Sequence, residues 1–195
     1  KLGFGTSVSL ADNLETAAGS LSNAQALKNA RALALFSFGQ GETTVSPLNL
    51  AAAVNAIAAD GIYMTPRLVY GTVDTNLSVQ ETEENTGEKV MEPTTAARLR
   101  AYMESTARFG TARIGAPQNC VSGIKTGTAQ TGGKVSNGVF VAFAPYDDPQ
   151  IALAVVIEKG GSGGALASTA VQILNAYFTS VDEAKAVVGE NMLIQ

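Results

Sequence analysis

Residues 123–132 read GIKTGTAQTG, and their reading decides the fold. Threonine and glycine at this density usually mark a turn, yet the run lies between two apolar, β-rich stretches. A strand at the edge of a sheet, with its backbone left accessible, fits both observations. In such a strand alternate side chains face the same way, so Lys125 and Gly127 share one face and Thr126 and Thr128 the other. Two hydroxyls can grip one carboxylate, and strand twist together with the edge position brings the ammonium close. Glycine at 127 leaves room for another backbone to approach. The bland reading is a plain strand whose lysine guards its edge against pairing. The richer reading is an edge that binds an anion or adds an extended peptide as a further strand.

Working outward, CVSGIKTGTAQ (120–130), GVFVAFAPY (138–146) and QIALAVVIEKG (150–160) are strand candidates in close order. The connections TGGKVSN and DDP are short, which predicts antiparallel neighbours. Tyr146, Asp147 and Asp148 read as a hairpin turn. ALASTAVQILNAYF (165–178) places Ala167, Val171, Leu174 and Phe178 at helical spacing. Upstream, SPLNLAAAVNAIAADG (46–61) gives the clearest helix: Ser46 suits the N-cap, Pro47 the first helical position and Gly61 a left-handed stop. Its apolar stripe is Leu50, Val54, Ile57 and Ala58. RLVYGTV (67–73) predicts a short strand. Residues 74–89, with Glu81, Glu83, Glu84 and Glu88, predict a solvated loop or hairpin; a cation site there would need a stiffer frame. A further helix is expected from Pro93 to Arg108, with Leu99, Met103 and Ala107 on one face and Gly110 at its end. Residues 1–45 are ambiguous: 22–34 has helical character, whereas ALALFSF (32–38) also alternates like a strand. Gly39-Gln40-Gly41 reads as a turn that positions the Ser46 helix, and Gly110-Thr111 as a loop near a cleft. The sum is an α+β domain, an antiparallel sheet flanked by helices.

Composition narrows the function. The chain has 195 residues, enough for one core of ordinary size. A net charge of −4 argues against a phosphate-tracking partner, so no nucleic acid is expected. The absence of histidine removes the Ser-His-Asp, Cys-His and His-zinc mechanisms together, and no metal or other cofactor is implied. The single cysteine, Cys120, is expected to be a buried small hydrophobe. No apolar run approaches the roughly 20 residues of a membrane span, and the opening residues are not expected to act as a signal sequence.

Lys-Thr-Gly is the third element of the signature shared by serine β-lactamases and penicillin-binding proteins. Here the resemblance extends well beyond three letters. GIKTGTAQT followed by NGVFVAFAPYDDPQIALAVVIEKGG is similar to the K-T-G strand and the two following strands of penicillin-binding transpeptidases of the high-molecular-weight, class B type. SFGQGETTVSPLNLAAAVNAIAADGIYMTPRLV resembles the family's G-Q-G, T-P-L-x-L-A and P-x-L-V segment. EPTTAARLRAYMESTARFGTA resembles its helix leading into a G-T-A loop, and the opening LGFG resembles the phrase that follows the S-x-N motif.

The resemblance implies a serine D,D-transpeptidase of peptidoglycan cross-linking that β-lactams acylate. Its partners would be a stem peptide ending in D-Ala-D-Ala, β-lactam antibiotics and the N-terminal half of the same domain. It also implies a parent at the outer face of the bacterial cytoplasmic membrane. Lys125 would join the proton and electrostatic network, and Thr126 and Thr128 would hold a carboxylate. The Thr128 amide would be one of two oxyanion donors, with Gly127 beside it and Gln130 adding a polar contact. The family's other two motifs depart: S-x-N occurs nowhere in 1–195, and S-x-x-K should lie upstream of Lys1. Its formal matches are Ser122-Gly-Ile-Lys125 and, with threonine, Thr86-Gly-Glu-Lys89. On a strand, residues three apart point to opposite faces, so Ser122 is a filler. The expectation is therefore residues 1–195 as the C-terminal part of one domain, lacking the nucleophile, inactive alone, and poorly stable alone because a sheet face is exposed. A β-lactamase or β-lactam sensor of the same fold, and a non-catalytic peptide-binding module, are the alternatives.

Overall fold

Ser46 and Asn29 set where the two upstream helices begin. The computed structural model describes residues 2–81 and 85–191, with side chains through 181; Glu83 and Glu84 of the acidic segment lie outside the described residues. In chain order the strands are β1 (Ser9–Ala11), β2 (Leu14–Glu15), β3 (Ile62–Tyr63), β4 (Gly71–Val73), β5 (Val79–Glu81), β6 (Glu88–Lys89), β7 (Gly123–Ala129), β8 (Asn137–Ala144) and β9 (Ile151–Ile157). The α-helices are α1 (Ala30–Ser37), α2 (Pro47–Ala58), α3 (Pro93–Phe109) and α4 (Ala167–Asn191).

The three expected strands form one antiparallel sheet of order β7-β8-β9, with Lys125 opposite Val141 and Gly127 opposite Val139. That register sorts the side chains. Ile124, Phe140, Ala142 and Ala144 join Ala167, Ala170 and Leu174 of α4 in one closed core. Phe143, on the opposite face, packs with Val54 and Ala58 of α2 and Met103 of α3. Helix α3 passes the end of β7 and serves both sides, since Ala107 belongs to the α4 core. The sheet is thus a middle layer between α2 and α4, the α+β architecture expected.

Ser46 caps α2 as predicted, its Oγ accepting from the Asn49 amide at 3.2 Å, with Pro47 in the first turn and Gly61 at φ +92° beyond the end. The buried face is wider than the expected stripe. Val54 and Ala58 are buried with Ala52, Ala53 and Ala56, whereas Leu50 and Ile57 are only partly covered. The alanines are needed because α2 packs on the sheet, on α3 and on the β3 turn, where Tyr63 meets Ala52 and Ala56.

The region 22–34 is helical rather than extended, but its helix starts later than expected. Asn23 Oδ1 accepts from the Ala26 amide at 2.8 Å and starts a separate 3-10 turn, Ala26–Lys28. Asn29 Oδ1 then accepts from the Arg31 and Ala32 amides, at 3.0 and 3.2 Å, and caps α1. The predicted strand 67–73 shrinks to Gly71–Val73, paired with β5 in a hairpin. Leu68 and Tyr70 remain about two-thirds exposed, because no sheet face lies under them to reward alternation. At the other end, a 3-10 turn (Gly163–Leu166) precedes α4, so the final helix begins two residues later than read and runs further. Helix α3 spans one residue more than expected, and Leu99 on its predicted face is only partly buried.

Tyr146 sits in the expected β8–β9 turn and anchors it. Its amide donates to Val121 O at 2.8 Å and its carbonyl accepts from Arg100 at 2.6 Å. The Arg100 guanidinium also lies 5.1 Å from the Tyr146 ring centroid and pairs with Asp60 at 2.9 Å. One arginine on α3 therefore ties the end of α2 to the hairpin.

Candidate active-site edge

Strand β7 is an edge: β8 covers one side and, among the described residues, no strand covers the other. The carbonyls of Thr126 and Thr128 both accept from side chains, from Lys125 Nζ and, at 3.1 Å, from Gln40 Nε2. In an antiparallel ladder the N–H and C=O of alternate residues point away from the partner strand together. The amides of Thr126 and Thr128 thus share the outer side with these carbonyls. Lys125 leaves the strand on the α2 face, yet its ammonium folds back to the outer edge, as twist and edge position suggested. Thr126 is half-buried on the α4 face, Thr128 is exposed, and Gln130 lies exposed just past the strand end.

The close approach predicted at Gly127 occurs, but another glycine permits it. A Cβ on Gly127 would meet only the Val139 side chain, at an ordinary 3.4 Å. A Cβ on Gly163 would come within 2.2 Å of Val139 O and 2.4 Å of Gly127 O, so the turn before α4 lies directly on the β7–β8 backbone. Ser122 is 1 % exposed and its Oγ has no partner among the described residues, which fits a filler rather than a nucleophile. Cys120 is half-buried against the α4 core, and burial raises its thiol pKa above the ordinary 9.0. Thr86 lies beside the β3–β6 ribbon, apart from β7, and lines an open groove of about 970 Å³ with Tyr63 and Leu2.

Beside Gly127 and Thr128 lies an apolar cavity of about 470 Å³, walled by Phe4, Phe36, Phe38, Leu50 and Val139. The opening LGFG segment reaches this place because buried Asn49 holds it: Nδ2 donates to Gly3 O at 2.6 Å, while the Ser46 hydroxyl donates to Oδ1. Three contributors were thus missed in the sequence: Phe4, Asn49 and Gln40. A polar residue three after an N-cap, on the buried side of an alanine-rich helix, was the available signal for Asn49. For Gln40 it was the glycine pair around it. The turn expected at Gly39-Gln40-Gly41 is present, and its Gly39 also closes α1.

A sheet of this order between two helical layers, with a K-T-G strand at its edge, defines a serine transpeptidase or β-lactamase-like domain. Residues 1–177 match the family model described as penicillin binding protein transpeptidase domain, and the chain belongs to that family. It is 35% identical over 150 residues to the peptidoglycan D,D-transpeptidase PbpA of Mycolicibacterium smegmatis, covering 72% of this chain and 30% of that one. It is 30% identical over 158 residues to the peptidoglycan D,D-transpeptidase MrdA of Escherichia coli, covering 70% and 25%. The chain therefore spans roughly a quarter to a third of these curated relatives. Among solved structures it is similar to the D,D-transpeptidase domain of a peptidoglycan glycosyltransferase from Eggerthella lenta, with TM-score 0.81, 26% identity, and coverage of 92% of this chain and 46% of that. The imipenem acyl-enzyme complex of penicillin-binding protein A from Mycobacterium tuberculosis gives TM-score 0.76 and 26% identity, over 90% of this chain and 40% of that one. No helix among the described residues is long and apolar enough to cross a membrane.

Proposed function

We propose that residues 1–195 are the C-terminal part of a single transpeptidase domain, and that the whole protein is a serine-type D,D-transpeptidase of peptidoglycan cross-linking. The observation that carries this is the free outer edge of β7, where the Lys125 ammonium and the outward groups of Thr126 and Thr128 converge. Family membership supports it, as do relatives named D,D-transpeptidases and a structural neighbour trapped as an acyl-enzyme.

In this reading a stem peptide ending in D-Ala-D-Ala lies along the edge, and a β-lactam takes its place. The hydroxyls of Thr126 and Thr128 hold the terminal carboxylate, Gly127 keeps the strand clear between them, and Gln130 contacts the peptide. The Thr128 amide donates to the oxyanion of the tetrahedral intermediate, one of two donors; losing one such donor typically costs about 2.7–4 kcal/mol in the barrier. Lys125 supplies positive charge and a proton path to a serine contributed from outside these residues. Without that serine the remaining groups transfer no acyl group, because such sets act as a unit. The remainder of the domain, the stem peptide and β-lactams are the partners, and the parent works at the outer face of the cytoplasmic membrane.

The test is intact mass of the full-length protein after incubation with benzylpenicillin, followed by peptide mapping. The expected adduct sits on a serine outside residues 1–195. Lys125→Ala should slow its formation by roughly 100-fold or more, the lower range for a lost proton-transfer group. An adduct on Ser122, or wild-type speed in Lys125→Ala, would refute the assignment.

A further inference from the structure

A side-chain amide links the α1–α2 connection to the K-T-G strand. Gln40 Nε2 donates to the Thr128 carbonyl at 3.1 Å, across 88 residues of chain. Its placement follows from how α1 ends. The Gly39 amide donates to Phe36 O at 3.1 Å and the Gln40 amide to Leu35 O at 2.9 Å, with Gly39 at φ +78°. These are the two bonds and the left-handed residue of a Schellman cap, which makes Gln40 the second residue beyond the helix. An apolar residue commonly occupies that position and packs back on the helix. Here a glutamine stands there instead and turns toward β7. A Cβ at Gly39 would meet nothing within 4 Å, so glycine is required for its backbone conformation and not for space.

We infer that Gln40 is a positioning residue for the Thr128 amide. This rests on the transpeptidase reading of β7. Thr128 is the penultimate paired residue of the strand, opposite Gly138, and its outer side has no neighbouring strand among the described residues. Strand ends without a neighbour fray, and an outward carbonyl left to solvent lets the local twist drift. The carboxamide supplies one strand-like bond at that point. It holds the outward side of Thr128, and with it the amide that faces the same way, in the direction an oxyanion donor needs. The thermodynamic grip on a carboxylate belongs to the threonine hydroxyls and does not pass through Gln40.

The experiment uses the full-length protein with benzylpenicillin and compares Gln40→Ala and the isosteric Gln40→Glu, whose carboxylate cannot donate to a carbonyl. Three quantities are read: the acylation rate constant at saturation, the dissociation constant of the preceding complex, and the infrared stretch of the penicilloyl ester carbonyl. The inference expects the rate constant to fall about 10–100-fold, the scale of a sub-ångström to ångström misplacement. The dissociation constant should stay within about twofold, and the ester band should move to higher wavenumber as the oxyanion donor weakens. An unchanged band and rate constant in both variants would overturn it. A rate loss matched by a lower melting temperature with an unshifted band would also overturn it, leaving Gln40 as a loop brace only. A wild-type protein that forms no adduct at all would overturn the transpeptidase reading itself, and this inference with it.

Discussion

The two faces of the β7-β8-β9 sheet are built from the same three strands and end differently. Toward α4, Ile124, Phe140, Ala142, Ala144 and Leu174 are fully buried, and on that face only the strand-end residues Thr128 and Ile157 are exposed. Toward α2, Phe143 is equally buried at one end, but near Gly127 and Val139 the face opens into the apolar cavity beside Phe36 and Phe38. Phe38 remains 67% exposed there, against 0% for Phe140. The α4 face holds the fully buried core, while the α2 face leaves Gly127 and Val139 reachable. The exposure expected on a sheet face is reduced by α2, which packs over β8 and β9, while Lys125 and the surface around Gly127 remain reachable.

The largest effect that would break this contrast is on the α4 face. Phe140→Ala should cost about 3–5 kcal/mol in urea unfolding, whereas Phe38→Ala should stay near 0.5 kcal/mol because little area is lost from cover. Equal costs would mean that the open end is sealed by something not seen in these residues. Next comes the contact between the faces' shared backbone and the turn before α4. Gly163→Ala forces a Cβ onto two carbonyls and should cost about 1–3 kcal/mol or more, measured the same way. A neutral result would show that the α4 turn moves freely over β7. The smallest effect is chemical. Burial raises the Cys120 thiol pKa, so iodoacetamide labelling should be slower than that of a free thiol at neutral pH and reach its plateau at higher pH. The sign follows from the neutral thiol being favoured by the folded protein, so any stability it lends is present below the unfolded thiol pKa and fades as pH passes the raised one.

Much of the fold was legible because it rests on local rules. Ser46, Pro47 and Gly61 specify α2 within a single segment, and short connections specify the antiparallel order of β7, β8 and β9. Segments whose outcome depends on distant cover were not legible. Residues 67–70 have the alternation of a strand but no face to bury, and residues 22–28 have helical composition, but Asn23 holds the Ala26 amide in a 3-10 turn and Asn29 caps α1 only after it. The site divides likewise. The faces of Lys125, Thr126 and Thr128 follow from strand periodicity alone, and the Lys125 ammonium reaches the edge as reasoned. Gln40 and Asn49 act across 88 and 46 residues, so no window of sequence contains both partners. The glycine that admits a close backbone was sought at 127, inside the motif, and found at 163, outside it.

Strand pitch sets a length scale for whatever binds β7. Only every second residue turns its backbone outward, so the free edge repeats about every 7 Å. The step from Thr126 to Thr128 is one such repeat. A single peptide unit spans about 3.8 Å and reaches one position, whereas a dipeptide in extended form reaches both. On the reading proposed above, the edge would work as a gauge: a ligand of two residues would engage it at two points, and a shorter one would be held at one and left free to swing.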